Sequence, residues 1–110
     1  MKLISYNVNG LRSAINKGFV DWIKDENPDV IGLQEIKAQE HDIDPTIFQD
    51  LGYNIYWNSA VKKGYSGVAV FSKEKPSFIE QGTGHEMSDA EGRVIRVDFC
   101  DHKIINAYLP

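Results

Sequence analysis

Two polar residues each close a short apolar run. Glu35 ends Val30-Ile31-Gly32-Leu33-Gln34-Glu35, and Asn7 ends Leu3-Ile4-Ser5-Tyr6-Asn7. Both runs read as buried strands. In an open α/β sheet, ligands and chemistry collect at strand ends. Two such ends on neighbouring strands would set a carboxylate beside an amide carbonyl, a hard-oxygen pairing suited to Mg²⁺ or Mn²⁺. Taken singly, each residue also has a plainer reading. Asn7 could bond local backbone, Glu35 could be a helix-start carboxylate, and Lys37 could neutralise Glu35 as an ion pair. Tyr108, in Asn106-Ala107-Tyr108-Leu109-Pro110, is either a packed sheet aromatic or a phenol placed to donate to a phosphate oxygen. Lys62-Lys63-Gly64-Tyr65-Ser66-Gly67 combines two cations, two glycines and an aromatic. Glycines let backbone N–H groups approach an anion, and a tyrosine can wedge or stack against nucleic acid. An ordinary turn with surface lysines fits the same composition.

The elements that would position these residues follow from the pattern. Lys2–Val8 reads as a strand. Gly10–Asn16 reads as a helical turn with Asn9 as N-cap. Phe19–Glu26 reads as an amphipathic helix with Phe19, Trp22 and Ile23 on one face, stopped by Asn27-Pro28. Asp29–Gln34 is a strand apolar enough to be covered on both faces. Strand, helix, strand makes a parallel crossover unit. Pro45–Leu51 follows as a short helix ended by Gly52. Tyr53–Ser59, Gly67–Ser72, Ser77–Gln81, Arg93–Cys100 and Lys103–Leu109 read as strands in a meander. Asp101-His102 forms the last hairpin turn, and Gly82–Gly92 is a loop. A sheet with helices on one face leaves apolar surface bare, and the last strand would be an open edge. The chain therefore reads as part of a larger fold.

The 110 residues suit one small domain. Cys100 is the only cysteine, so no internal disulfide or thiolate metal site is available; it reads as a small strand hydrophobe. His41, His85 and His102 lack metal spacing and read as surface or turn residues. No apolar run is long enough to span a membrane, and the start does not read as a signal peptide, so the expectation is a cytoplasmic protein. The net charge of −4 argues by itself against a nucleic-acid partner. The distribution softens this. Acids crowd Asp21–Asp50, whereas Lys2, Arg12 and Lys17 stand without acids, and Lys62, Lys63, Lys73 and Lys75 face only Glu74. An acidic protein can still present a basic face.

Several segments, in order and at matching spacing, resemble the exonuclease III-type abasic-site (apurinic/apyrimidinic) endonucleases. They are Ser5-Tyr6-Asn7-Val8-Asn9-Gly10-Leu11-Arg12, Pro28 through Lys37, Gly64-Tyr65-Ser66-Gly67-Val68, Glu91-Gly92-Arg93-Val94-Ile95 and Ala107-Tyr108-Leu109-Pro110. The resemblance covers essentially the whole chain and places it as the N-terminal part of that domain. It implies a DNase I-like α/β fold, a four-layered sandwich of two sheets flanked by helices. It implies Mg²⁺-dependent hydrolysis of DNA 5′ to abasic sites, with 3′-exonuclease and 3′-phosphatase activity in the complete protein. The partner would be double-stranded DNA with abasic or 3′-blocked lesions, and the full-length protein would be monomeric.

By position, Glu35 resembles the metal-binding glutamate, Asn7 the asparagine grouped with it, and Tyr108 the tyrosine at the scissile phosphate. Arg12, Lys17, Gly64, Tyr65 and Arg93 resemble positions that hold the DNA backbone. Asn9 departs from relatives with Asp there, which weakens a direct metal role for it. The family's Asp-x-Asn element, a further aspartate and the Asp-His pair would lie beyond Pro110, so the 110-residue chain is expected to be inactive alone. Two other readings share these features: a superfamily phosphatase acting on a non-DNA phosphoester, and a non-catalytic module. The Gly64-Tyr65-Ser66-Gly67 loop and Glu91-Gly92-Arg93 favour DNA.

Overall fold

The computed structural model describes residues 1–84 and 89–108. Its elements are β1 (Leu3–Asn7), α1 (Leu11–Asn16), α2 (Phe19–Glu26), β2 (Val30–Gln34), a 3₁₀ turn (Glu40–Asp42), α3 (Thr46–Gln49), β3 (Asn54–Asn58), β4 (Val68–Ser72), β5 (Phe78–Gln81), β6 (Val94–Asp98) and β7 (Lys103–Ala107). The strands form two sheets. The first runs β1-β2-β4-β3 and the second β5-β6-β7. β1 and β2 are parallel, joined through α1 and α2 as the crossover reading expects. The meander holds only in the second sheet. In the first, β4 inserts between β2 and β3, pairing antiparallel with both.

Strand alternation splits the core in two. Ile31, Leu33, Ala69, Phe71 and Trp57 turn toward the helices, where they meet Leu11, Phe19, Ile23 and Phe48. Val30, Val68 and Val70 turn the other way onto Ile95, Val97 and Phe99 of the second sheet. β2 and β4 are thus covered on both faces, and all five residues of each are buried. The bare sheet face expected from the helix count is filled by β5-β6-β7. The described residues therefore build three layers of a DNase I-like α/β fold: helices, mixed sheet, antiparallel sheet. The outer face of the second sheet carries exposed Phe78 and Ile105 and a two-bond Arg96–Asp98 pair at 2.9 and 2.7 Å. β1 and β7 are both sheet edges among the described residues.

α2 forms as its pattern dictates. Phe19 and Ile23 are buried and Trp22 half-buried on one face, Asp21 sits in the first turn and Lys24 in the last. Asn27 ends it in the left-handed conformation, φ 47°, its N–H closing on Ile23 O at 2.8 Å.

Several local expectations are corrected. Asn9 does not cap α1: Gly10 occupies that position without a side-chain bond, and Asn9 Oδ1 accepts from Lys37 Nζ at 2.7 Å instead. Cys100 lies exposed in the β6–β7 turn rather than inside a strand. That turn closes by Phe99 N donating to His102 O at 2.8 Å, and neither Asp101 nor His102 adopts positive φ. Within Gly82–Gly92, Asp89 and Ala90 are helical rather than looped. Asp89 accepts from the backbone N–H groups of Thr83 and Gly84 at 2.8 and 2.9 Å. His85, Leu109 and Pro110 lie outside the described residues.

Candidate active site at the strand ends

Asn7 and Glu35 arrive side by side because β1 and β2 are parallel neighbours. Asn7 pairs with Gln34 in the ladder, and Glu35 is the next residue, where β2 leaves the sheet. Both Glu35 (φ 51°) and Lys37 (φ 52°) adopt left-handed backbone, which is uncommon for such side chains and appears where surroundings over-determine it. Here those surroundings are two loops. On one side Gly10 N donates to Glu35 O at 2.7 Å and Leu11 N to Ile36 O at 2.8 Å. On the other, Ile36 N donates to Gly67 O at 3.2 Å and Lys37 N to Ser66 O at 2.8 Å. Ile36 is fully buried between them. The sharp turn therefore anchors an apolar side chain inward and leaves the Glu35 carboxylate facing out.

Tyr108 comes to the same point from the second sheet. Its backbone N donates to Arg93 O at 2.8 Å. Its phenol faces the Glu35 carboxylate. The interaction with Tyr108 first, and then that with the Asn7 side chain, hold the Glu35 carboxyl below its ordinary range; burial opposes them less strongly, and the charge of Lys37 adds a smaller lowering. Lys37 Nζ stands 3.6 Å from Glu35 Oε2, so the ion pair expected from sequence is present. The same interaction with Glu35, with burial, pushes the Tyr108 phenol up. Across neutral pH the site therefore holds an ionised carboxylate and a protonated phenol.

Arg93 organises the rim. Its Nε donates to Glu91 Oε2, Nη2 donates to the Tyr65 hydroxyl at 3.2 Å, and Nη1 reaches Tyr108 O at 3.4 Å. Its guanidinium lies 5.2 Å from the Tyr108 ring centroid. The side chain is only 11% exposed. It bridges two aromatic residues rather than standing free in solvent. Tyr65 is exposed, with Lys62 Nζ 5.7 Å from its ring centroid. Gly64 takes φ 73° with open space about its Cα, and an open cleft joins it to Gly10, Arg12, Ser13 and Lys37. Lys17 is exposed at the C-cap of α1 and lines a separate recess with Tyr6 and Trp22. Glu35, Asn7, Tyr108, Arg93 and Tyr65 thus make one connected cluster, Gly64 and Arg12 flank it, and Lys17 lies off to the side.

The donor set suits a hard divalent cation in part. Glu35 is an outward-facing carboxylate, and Mg²⁺ is commonly held by one or two carboxylates with water and substrate phosphate completing its shell. Asn7 stands beside it at the end of the neighbouring strand. Its Oδ1 accepts from Asn9 N at 3.0 Å and its amide donor faces Glu35. Among the described residues, no group of three His, Cys, Asp or Glu side chains is assembled to hold a metal.

Two buried amides beneath the site, Gln34 and Asn106, were not singled out from sequence. The available signal was a polar residue at an inward position of each apolar strand.

The chain matches the Endonuclease/Exonuclease/phosphatase family over residues 4–109. It is 49% identical to an exodeoxyribonuclease of Bacillus subtilis, over all of this chain and 43% of that protein. It is 40% identical to the DNA repair nuclease APEX1 of Danio rerio, over all of this chain and 36% of that protein. Its fold superposes on an AP endonuclease from Archaeoglobus fulgidus with a TM-score of 0.87 and 31% identity, covering 100% of this chain and 41% of that one. A Neisseria 3′ phosphatase, NExo, bound to a product DNA hairpin gives 0.86 and 29%, over 98% of this chain and 41% of that one. The chain spans about two fifths of the length of these relatives. With the strand-end cluster matching the motif order, the chain belongs to the endonuclease/exonuclease/phosphatase family, with exodeoxyribonucleases and AP endonucleases among its relatives.

Proposed function

We propose that this chain carries the Glu35–Asn7–Tyr108 part of a Mg²⁺-dependent DNA repair phosphodiesterase. In the complete protein it would cleave 5′ to abasic sites and remove nucleotides or phosphate at 3′ ends. The observation that carries this reading is the convergence of a charged carboxylate, an amide and a protonated phenol from three strands, beside a loop bearing Lys62, Lys63 and Tyr65.

A divalent ion, Mg²⁺ or Mn²⁺, at Glu35 would neutralise charge developing on the phosphoryl and leaving oxygens. The chain's own residues do the rest that can be assigned. Asn7 holds the carboxylate in place and keeps its charge. Tyr108 keeps its proton and can donate it as a hydrogen bond to a phosphoryl oxygen. Arg93 fixes the Tyr108 ring and the Tyr65 hydroxyl. Arg12, Lys17, Lys62 and Lys63, with the Gly64 backbone, supply contacts to the DNA backbone that carry no sequence preference, as repair of a lesion in any sequence requires. An abasic nucleotide is cheap to extrude because it has no base to unstack. No described residue stands as a general base for the attacking water, and losing one member of a cooperating catalytic set can remove several orders of magnitude in rate. The 110-residue chain alone is therefore expected not to cleave an abasic-site oligonucleotide in Mg²⁺.

A chimera tests the active-site assignment. This chain replaces the matching segment of the Bacillus subtilis exodeoxyribonuclease. Mg²⁺-dependent cleavage that disappears on Glu35→Gln is the expected result. A chimera that folds and binds DNA yet cleaves equally well with Glu35→Gln would refute it.

A further inference from the structure

We propose that the buried amides of Gln34 and Asn106, with the hydroxyl of Ser5 at the exposed edge strand, form a positioning unit that locks together the three strands leading to Glu35, Tyr108 and Asn7. The proposal rests on reading those three residues as the phosphodiesterase site.

Gln34 and Asn106 are 9% and 6% exposed, in the layer that Val30, Val68, Val70, Ile95 and Val97 otherwise fill. An amide placed there is costly unless its polar atoms are bonded. The donors of both are satisfied. Gln34 Nε2 donates to Asn106 Oδ1 at 2.7 Å and to Ser5 Oγ at 3.1 Å. Asn106 Nδ2 donates to Leu33 O at 3.0 Å and Ala69 O at 2.8 Å. One side chain of β7 thereby grips β2 and β4, and one side chain of β2 grips β7 and β1. The approach needs a glycine. A Cβ on Gly32 would stand 3.1 Å from Asn106 Cγ, tighter than side chains normally pack.

The placement ties this unit to the site. Ser5 is two residues before Asn7, Gln34 is one before Glu35, and Asn106 is two before Tyr108. β1 and β2 share a ladder, but β7 belongs to the other sheet and faces β2 only through side chains. Apolar contact between sheets is non-directional and tolerates sliding. Hydrogen bonds are directional, and a fully satisfied buried network specifies one arrangement. Register matters here because a one-residue slip of β7 would turn Asn106 outward and carry Tyr108 away from Glu35.

NMR on the isotope-labelled chain tests this. The readout is the cross-peak between the Tyr108 ring and the Glu35 side chain, with Phe48 and Trp57 signals reporting the helix-side core. Asn106→Leu and Gln34→Met remove the amides at similar volume. Ile23→Val, in the other core, supplies a purely structural loss of stability. Loss of the Tyr108–Glu35 cross-peak in the first two, with Phe48 and Trp57 unchanged and with Ile23→Val retaining it, is the expected result. Retention of the cross-peak in folded Asn106→Leu or Gln34→Met would overturn the proposal. If both fail to fold, Gly32→Ala decides. It keeps every amide but crowds Asn106, so Asn106 and Tyr108 signals should shift together; an Asn106 shift without a Tyr108 shift overturns the proposal. Separately, Mn²⁺ added to the wild-type chain should broaden Glu35 signals. Its failure to do so would count against the metal-site reading and leave the positioning result standing.

Discussion

Gly64 and Gly67 lie three residues apart in one loop, both with positive φ, at 73° and 89°, yet alanine at each should have a different cost. A Cβ on Gly64 meets nothing within 4 Å; a Cβ on Gly67 would stand 2.6 Å from Ile36 Cγ1 and 3.1 Å from Cδ1. The backbone penalty for a left-handed L-residue is about 1–2 kcal/mol and applies to both. The reduced freedom of the unfolded chain offsets part of it equally in both and cancels in the comparison. Only Gly67→Ala adds overpacking, about 1–3 kcal/mol in a well-filled core. Ile36 has no room to yield: it is fully buried, and its backbone is bonded to Gly67 and Leu11. Before that offset, Gly64→Ala should therefore cost about 1–2 kcal/mol, and Gly67→Ala about 2–5 kcal/mol when both contributions are summed; the offset lowers both by the same amount and leaves the difference of about 1–3 kcal/mol. Urea unfolding followed by tryptophan fluorescence measures both. Because Ile36 sits between Glu35 and Lys37, Gly67→Ala should also weaken the Tyr108–Glu35 contact, which Gly64→Ala should spare. Equal destabilisation by the two substitutions would refute the claim that Gly67 is required by the close approach of Ile36.

Three further outcomes are expected. Phe48→Ala should destabilise by about 3–5 kcal/mol, since Phe48 is fully buried against Phe19 and Phe71; a loss under about 1 kcal/mol in urea unfolding would mean this core does not bear load. Arg96 holds the Asp98 carboxyl below its ordinary value of 3.8. A depressed carboxylate contributes stability above the unfolded value and loses it as pH falls through the lower folded value. The gap in urea midpoint between wild type and Asp98→Asn should therefore be full above pH 3.8 and close on acidification; a gap that widens in acid would contradict the sign. Finally, Lys63→Ala should lower the salt slope of binding to an abasic duplex by about one, whereas a slope unchanged in that variant would remove Lys63 from the interface.

Much of the site was legible because the chemistry sits at punctuation marks of the sequence. Glu35 and Asn7 close two largely apolar runs, and parallel pairing of those runs makes them neighbours. Lys37 was legible as a partner of Glu35 because it is two residues away. Arg93 was different. The resemblance carried it over as a position that holds the DNA backbone; the structure adds that its guanidinium is engaged by Glu91, Tyr65 and Tyr108, partners that local spacing does not imply. Asn9 read as a helix cap by residue type, yet its side chain is drawn to Lys37 across the turn. Cys100 read as a strand hydrophobe, yet the hairpin closes around it and leaves it exposed.

What the sequence determined by itself was local: which runs are strands, where α2 begins and stops, and which polar residues stand at strand ends. These depend on periodicity and on backbone preferences acting over a few residues. Only the tertiary structure decided that β4 lies between β2 and β3, that β5-β6-β7 form a separate sheet over the first, and that Tyr108 crosses from that sheet to Glu35. Nor did local pattern reveal that Asn106 enters over Gly32 to bond Gln34. Such pairings join residues dozens of positions apart. They are settled by which faces can be buried together and which buried amides can be satisfied, and neither is written in any short stretch of chain.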